Sequence, residues 1–133
     1  MSSTLRLDIG LLLLRFVFGF LMIYNHGWPK LEKYLYGDPT QFADPLGFGK
    51  EYSLLLAIFA EFVCSVLLIL GLFSRWALFF LAFTMAVAVF IVHGADPLLE
   101  QELALLYLAG YIFLWLSGPG KYSLDVGWLK KTY

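Results

Sequence analysis

Charge is scarce in this chain. Only 14% of its 133 residues are charged, against about 25% in an ordinary soluble domain, while 61% are apolar against about 45–50%. A domain this small leaves much of its surface exposed, so the excess cannot be hidden in a core. Cysteine is nearly absent: Cys64 stands alone, which excludes an intramolecular disulfide and any CxxC thiol relay. There is no basic cluster and the formal net charge is −1, so nucleic-acid binding has no electrostatic footing. Phosphate loops, nucleophile elbows and dinucleotide fingerprints are missing too. What remains is a chain whose natural solvent is lipid.

A membrane helix needs about 20 mostly apolar residues to cross a hydrocarbon layer about 30 Å thick. Four stretches meet that need, at about Leu7–Asn25, Ser53–Phe73, Trp76–Val92 and Leu103–Ser117. Between them fall the breakers: Pro29 and Gly37-Asp38-Pro39, then Gly71 with Ser74-Arg75, then Asp96-Pro97, and finally Gly118-Pro119-Gly120. The expected fold is an all-α, integral membrane, antiparallel four-helix bundle in a single domain over residues 1–133. The first span is not expected to be a cleaved signal peptide, because Asp8 and Arg15 interrupt it and no small-x-small site follows. Ala57, Ala60 and Cys64 in the second span, and Ala82 and Ala86 in the third, are small enough for close helix approach. The stretch Gly27–Tyr52 reads as one long loop. Its aromatic content suits either an interfacial segment or a lid over one mouth of the bundle.

Lysine and arginine set orientation. Arg6, Arg75, Lys121, Lys130 and Lys131 lie on the side of the termini, against Lys30, Lys33 and Lys50 on the other. Both termini are therefore expected in the cytoplasm, in a bacterial-type inner membrane. The tail after Gly118-Pro119-Gly120 must leave the helix, and its Trp128, Leu129 and lysines suit the headgroup layer.

Two charges lie inside spans, Arg15 and Glu61. A buried charge costs about 2.5–3.5 kcal/mol even on the lenient insertion scale, so each needs a partner. The sequence expectation is an Arg15–Glu61 ion pair, as register-fixing glue or as part of a site. Helical spacing also places Arg15, Gly19, Met22 and His26 on one stripe, and Ala82, Ala86, Val89 and His93 on another. His26, Lys30, His93 and Glu102 then gather at one mouth, with Tyr107 sharing a face with Glu100 and Tyr111, and Glu61 deeper below. Such a cluster can exchange protons and hold a flat lipid-soluble ring such as a quinone. Metal and haem are not expected, since no HxxxH, ExxH or HExxH spacing occurs.

In order along the chain, Leu14-Arg15-Phe16-Val17-Phe18-Gly19, Asn25-His26-Gly27-Trp28-Pro29-Lys30-Leu31, Ala60-Glu61-Phe62, Leu70-Gly71-Leu72-Phe73-Ser74-Arg75 and His93-Gly94 resemble the pattern of the DoxX family. The tail Gly118-Pro119-Gly120-Lys121-Tyr122-Ser123-Leu124-Asp125 resembles its closing signature. That resemblance implies a four-helix membrane protein related by name to a small subunit of a thiosulfate:quinone oxidoreductase. It carries Arg15, His26, Lys30, Glu61, His93 and Glu102 as polar positions of the pattern, without a reaction attached. Three functions follow as expectations: a redox-associated subunit binding a quinone or similar lipophile, a non-catalytic assembly subunit, or a small proton-linked transporter. The partners expected are the bilayer and either a larger membrane redox complex or further copies of the chain.

Overall fold

The computed structural model describes residues 1–132 and is helical throughout its regular structure. Four helices are long and apolar enough to span a membrane: α1 (Ser3–Tyr36), α2 (Lys50–Leu70), α3 (Ser74–Val92) and α4 (Leu98–Ser117). A short α5 (Leu124–Gly127) lies in the tail. Each long helix packs on the next, and α4 returns to α1. This is the antiparallel membrane bundle that the sequence calls for.

The first connection is shorter than expected, because α1 does not stop at Pro29. Proline inside an α-helix lacks its N–H, and its ring strikes the carbonyl four residues back. The turn before it, Ile23–Gly27, is wound as a π-helix, and the N–H of Trp28 donates to the carbonyl of Ile23 five residues back. That wider turn accommodates the ring, and the helix runs on to Tyr36 before Gly37 ends it. At 1.5 Å per residue α1 is about 50 Å long, well beyond the hydrocarbon layer. The true loop is the stretch 37–49, with one 3₁₀ turn at Pro39–Gln41.

Helices in lipid gain little from apolar contact as such and associate through close packing. Close contacts are made at glycines, and of the expected small residues Ala60 and Cys64 are buried. A Cβ on Gly19 would meet the Ser65 carbonyl at 3.0 Å, and one on Gly110 would enter the ring of Phe18. On α3 the buried positions are Ser74, Ala77, Leu78, Leu81, Met85 and Val89, so Ala82 and Ala86 stand beside the seam and not in it. The core joins Leu11, Met22, Cys64, Leu68, Tyr107, Tyr111 and Leu114 to that stripe. Large exposed side chains such as Phe16, Phe20, Ile112 and Leu116 cover the outer faces, where lipid would lie.

Two π turns besides the one in α1 occur at Phe59–Val63 in α2 and Ala88–Val92 in α3. π turns often mark functional positions. Here they contain or adjoin His26, Glu61 and His93, and all three lie in the half of the bundle that holds the loop.

Candidate functional site

The buried stripe of α1 runs Leu11, Arg15, Gly19, Met22 and then Gly27. Regular spacing would have continued to His26. The π turn inserts one residue, so Gly27 reaches the contact and His26 is carried to the side. A Cβ on Gly27 would lie 2.7 Å from the backbone oxygen of Glu61 and 3.0 Å from the Cα of Phe62. The π turns of α1 and α2 therefore touch backbone to backbone. One turn further along α1, Lys30 Nζ sits 2.6 Å from Glu61 Oε2, with the carboxylate side chain only 6% exposed.

Above this ion pair opens a cavity of about 790 Å³ between α2, α3, α4 and the loop. His26, Lys30, Glu61, His93 and Tyr107 all line it, and so does Glu100. The His26 ring stands edge-on to Tyr107, with centroids 5.9 Å apart, and Tyr107 stacks on Tyr111 at 5.9 Å. His93 Nδ1 lies 2.7 Å from Asp96 Oδ2, while Gln101 Nε2 donates to the His93 carbonyl at 2.6 Å. The rest of the wall is aromatic and aliphatic. Phe79, Phe83 and Leu56 line the cavity and yet are about half exposed on faces turned away from the core. Partly exposed side chains of α2 and α3 thus form part of the cavity wall, together with the loop.

Phe42, Pro45, Leu46 and Phe48 of the loop form its roof. Asp44 fastens that roof to α2, accepting from Ser53 Oγ at 2.8 Å and from the Gly49 N–H at 3.0 Å. The Ser53 hydrogen bond, aided by backbone N–H groups, holds the Asp44 carboxyl below its ordinary range. Asp38 is held down in the same way, mainly by the hydroxyl of Thr40 at 2.6 Å.

Two sequence expectations fail here. Glu102 is exposed and does not line the cavity; Glu100, two residues earlier, takes the carboxylate place on α4. Nor does Arg15 pair with Glu61. Its level on α1 lies about 18 Å from Gly27, the residue packed against Glu61, at 1.5 Å for each intervening residue. Arg15 is 1% exposed and donates to three carbonyls instead: Pro119 at 2.9 Å, Tyr122 at 3.0 Å and Ile69 at 3.3 Å. The expected headgroup tail is therefore partly a plug. Asp125, fully buried, accepts from the N–H groups of Phe73 and Ser74 at 2.8 and 2.9 Å, capping α3. Sequence reasoning missed Gly27 and Asp125 as organising residues. The signal for Asp125 was present in Ser123-Leu124-Asp125, but nothing local announces a cap supplied from 52 residues away.

Among the described residues no three His, Cys, Asp or Glu converge as a metal would need. The family model for DoxX matches residues 10–94, a stretch carrying Arg15, His26, Gly27, Lys30, Glu61 and His93. A Haemophilus influenzae protein described as uncharacterized is 37% identical over 125 residues, covering 89% of this chain and 90% of its own. The inner membrane protein YqjF of Escherichia coli is 31% identical over 124 residues, covering 89% of this chain and 91% of its own. No solved structure matches. The family match takes in most of α1, all of α2 and α3, their π turns and the polar positions on them, and the chain belongs to the DoxX family of multi-pass membrane proteins.

Proposed function

We propose that this protein binds a flat, lipid-soluble molecule of the quinone class in the loop-end cavity and serves as a redox-associated membrane subunit. One observation carries the reading: an apolar, aromatic chamber of about 790 Å³ with a single buried ion pair, Lys30–Glu61, at its base. Ligand pockets of this size are mostly apolar, with a few placed polar groups that fix orientation. The Lys30 ammonium can donate to a ring carbonyl while Glu61 keeps its charge compensated. His26, His93 and Tyr107 add hydrogen-bonding edges, and Phe80 and Phe83 add faces for the ring. Entry beside the half-exposed Phe79 and Leu56 lets a molecule dissolved in the bilayer arrive without crossing water. The redox role rests on the family resemblance, and its partner would be a membrane redox complex or a further copy of the chain.

We further assign the protein to the inner membrane with both termini cytoplasmic, in keeping with the name of the Escherichia coli relative and the distribution of lysine and arginine. A periplasm-active phosphatase fused after Tyr133 should be silent, and an active fusion would reverse the orientation.

Binding is tested in nanodiscs of neutral lipid, by quenching of intrinsic fluorescence with a short-chain quinone. Saturable binding at one site is expected, weakened about tenfold or more in Lys30→Met, the loss of one charge-assisted hydrogen bond. Quenching no different from passive partition into the disc, or unchanged in Lys30→Met with the helix content intact, would overturn the reading.

A further inference from the structure

At the opposite end of the bundle a second cleft, of about 690 Å³, opens between the start of α3 and the tail. Its walls are Phe73, Arg75, Trp76, Lys130, Lys131 and Thr132. Every charged side chain among them is a cation, and two of the three lie next to an aromatic ring. Arg75 Cζ lies 5.5 Å from the ring centre of Trp115, and Lys131 Nζ lies 5.1 Å from that of Phe73.

The cleft is held in shape by the tail. The Lys131 N–H donates to the Asp125 carbonyl at 2.8 Å, and the Leu129 N–H to the Leu124 carbonyl at 2.9 Å. Between them Lys130 takes a left-handed backbone, with φ of 57°, which turns the chain back over α3. Asp125 Oδ1 lies 3.8 Å from Lys131 Nζ, but that carboxylate is fully buried while the lysine side chain is 42% exposed. The acid is thus beneath the cleft and the cations are at its surface.

Depth decides what such a cleft can meet. Ser74 begins a membrane span, so Trp76, which is 68% exposed, stands at the border between hydrocarbon and headgroups. Below it on the same face, Phe79 and Phe83 stack at 6.5 Å, each about half exposed. The order from water to hydrocarbon is cation, indole, phenyl, phenyl. We propose that this cleft binds one anionic phospholipid, its phosphate held by Lys130, Lys131 and Arg75 and an acyl chain laid along Trp76, Phe79 and Phe83. Free phosphate shares the headgroup chemistry but has no use for the aromatic stripe, which favours the lipid.

The full chain is tested by native mass spectrometry after exchange into mixed micelles of phosphatidylglycerol and phosphatidylcholine. One phosphatidylglycerol should be retained in preference to phosphatidylcholine. The double variant Lys130→Gln/Lys131→Gln should lower that retention about tenfold or more, each surface lysine being worth roughly a fivefold factor toward anionic lipid. Lys121→Gln removes a tail cation outside the cleft and should leave retention unchanged, as should millimolar inorganic phosphate. Equal retention of both lipids, an equal loss in Lys121→Gln, or displacement of the lipid by free phosphate would each overturn the assignment. Thermal unfolding in lipid-free detergent should match between the wild type and the double variant. If it does not, Trp76→Ala supplies the second test: loss of phosphatidylglycerol is expected, and undiminished retention would contradict the stripe.

Discussion

Arg15 and Glu61, the two charges buried within membrane spans, occupy the two halves of this bundle, and their surroundings differ in kind. Arg15 is held mainly by backbone: three carbonyls accept from its two terminal guanidinium nitrogens, leaving only the buried Nε without a partner, and the tail that supplies two of them is itself locked by Asp125. Glu61 has one partner, a lysine that is partly exposed, and above the pair lies open volume. Closure by backbone carbonyls leaves nothing for a ligand to displace. A single ion pair at the floor of an aromatic chamber leaves an invitation. In lipid, where an unsatisfied polar group costs several kcal/mol, the first arrangement is how a charge becomes structural and the second is how it becomes available.

The comparison breaks most visibly if the tail is removed. Truncation after Ser117 takes away two of the Arg15 acceptors and the α3 cap together. Because a buried charge left without partners costs on the order of 3–5 kcal/mol, the truncated protein should lose its cooperative thermal transition in detergent. A transition within a few degrees of the wild type would show that the tail is only an anchor. Arg15→Leu should show a smaller loss of about 2–4 kcal/mol, from carbonyls left without donors, and no selective effect on quinone binding beyond what that instability explains.

At the other end, Gly27→Ala sets a methyl group against the backbone of Glu61, which cannot step aside as a flexible side chain would. The overlap should cost about 1–3 kcal/mol and push Lys30 away from Glu61, weakening ligand binding more than stability. Binding unchanged in Gly27→Ala would mean that the contact between π turns does not position the pair. Within the pair, Glu61→Leu or Lys30→Leu alone leaves an uncompensated charge, while the double change removes both. The double variant should recover much of the stability lost in either single one and none of the binding. Additive losses in the singles would mean that the two do not interact.

The smallest effect belongs to the loop. The folded Asp44 carboxyl lies below its ordinary range because Ser53 donates to it. The sign follows: its hydrogen bonds are fully in place above the ordinary carboxyl range and are lost as pH falls through the lowered value. The protection of the Gly47 and Gly49 amides, taken as exchange relative to the intrinsic rate at the same pH, should therefore be high at neutral pH and fall only under strong acid, whereas Asp44→Asn should show lower protection already at neutral pH. Equal protection in wild type and variant would remove Asp44 as the fastening of the roof.

Much of this contrast is legible in the sequence, and the reasons for the rest are physical. Span count, antiparallel order and the gathering of His26, Lys30, His93 and Tyr107 follow from hydropathy and helical spacing. The partner of Arg15 does not, because carbonyl acceptors are the same at every residue and leave no mark in the side chains. The helix through Pro29 is hidden for a related reason: a π turn inserts a residue without a signature, which carries Gly27 into the seam where spacing alone would put His26. Glu100 and Glu102 differ by two positions on α4, about 200° around the helix, so a register estimate that is right in depth still selects the wrong face.

The division between a closed end and an open end is tested most directly by where a lipophilic ligand lands. A photoreactive short-chain quinone, activated in nanodiscs and mapped by peptide mass spectrometry, should label the loop-end walls, at Phe48, Phe80 or Tyr107, and lose that label when excess unreactive quinone is added. It should leave the residues around Arg15 unmarked. Competable label at the tail end, or uniform label along all lipid-facing helices that excess quinone does not suppress, would contradict the account.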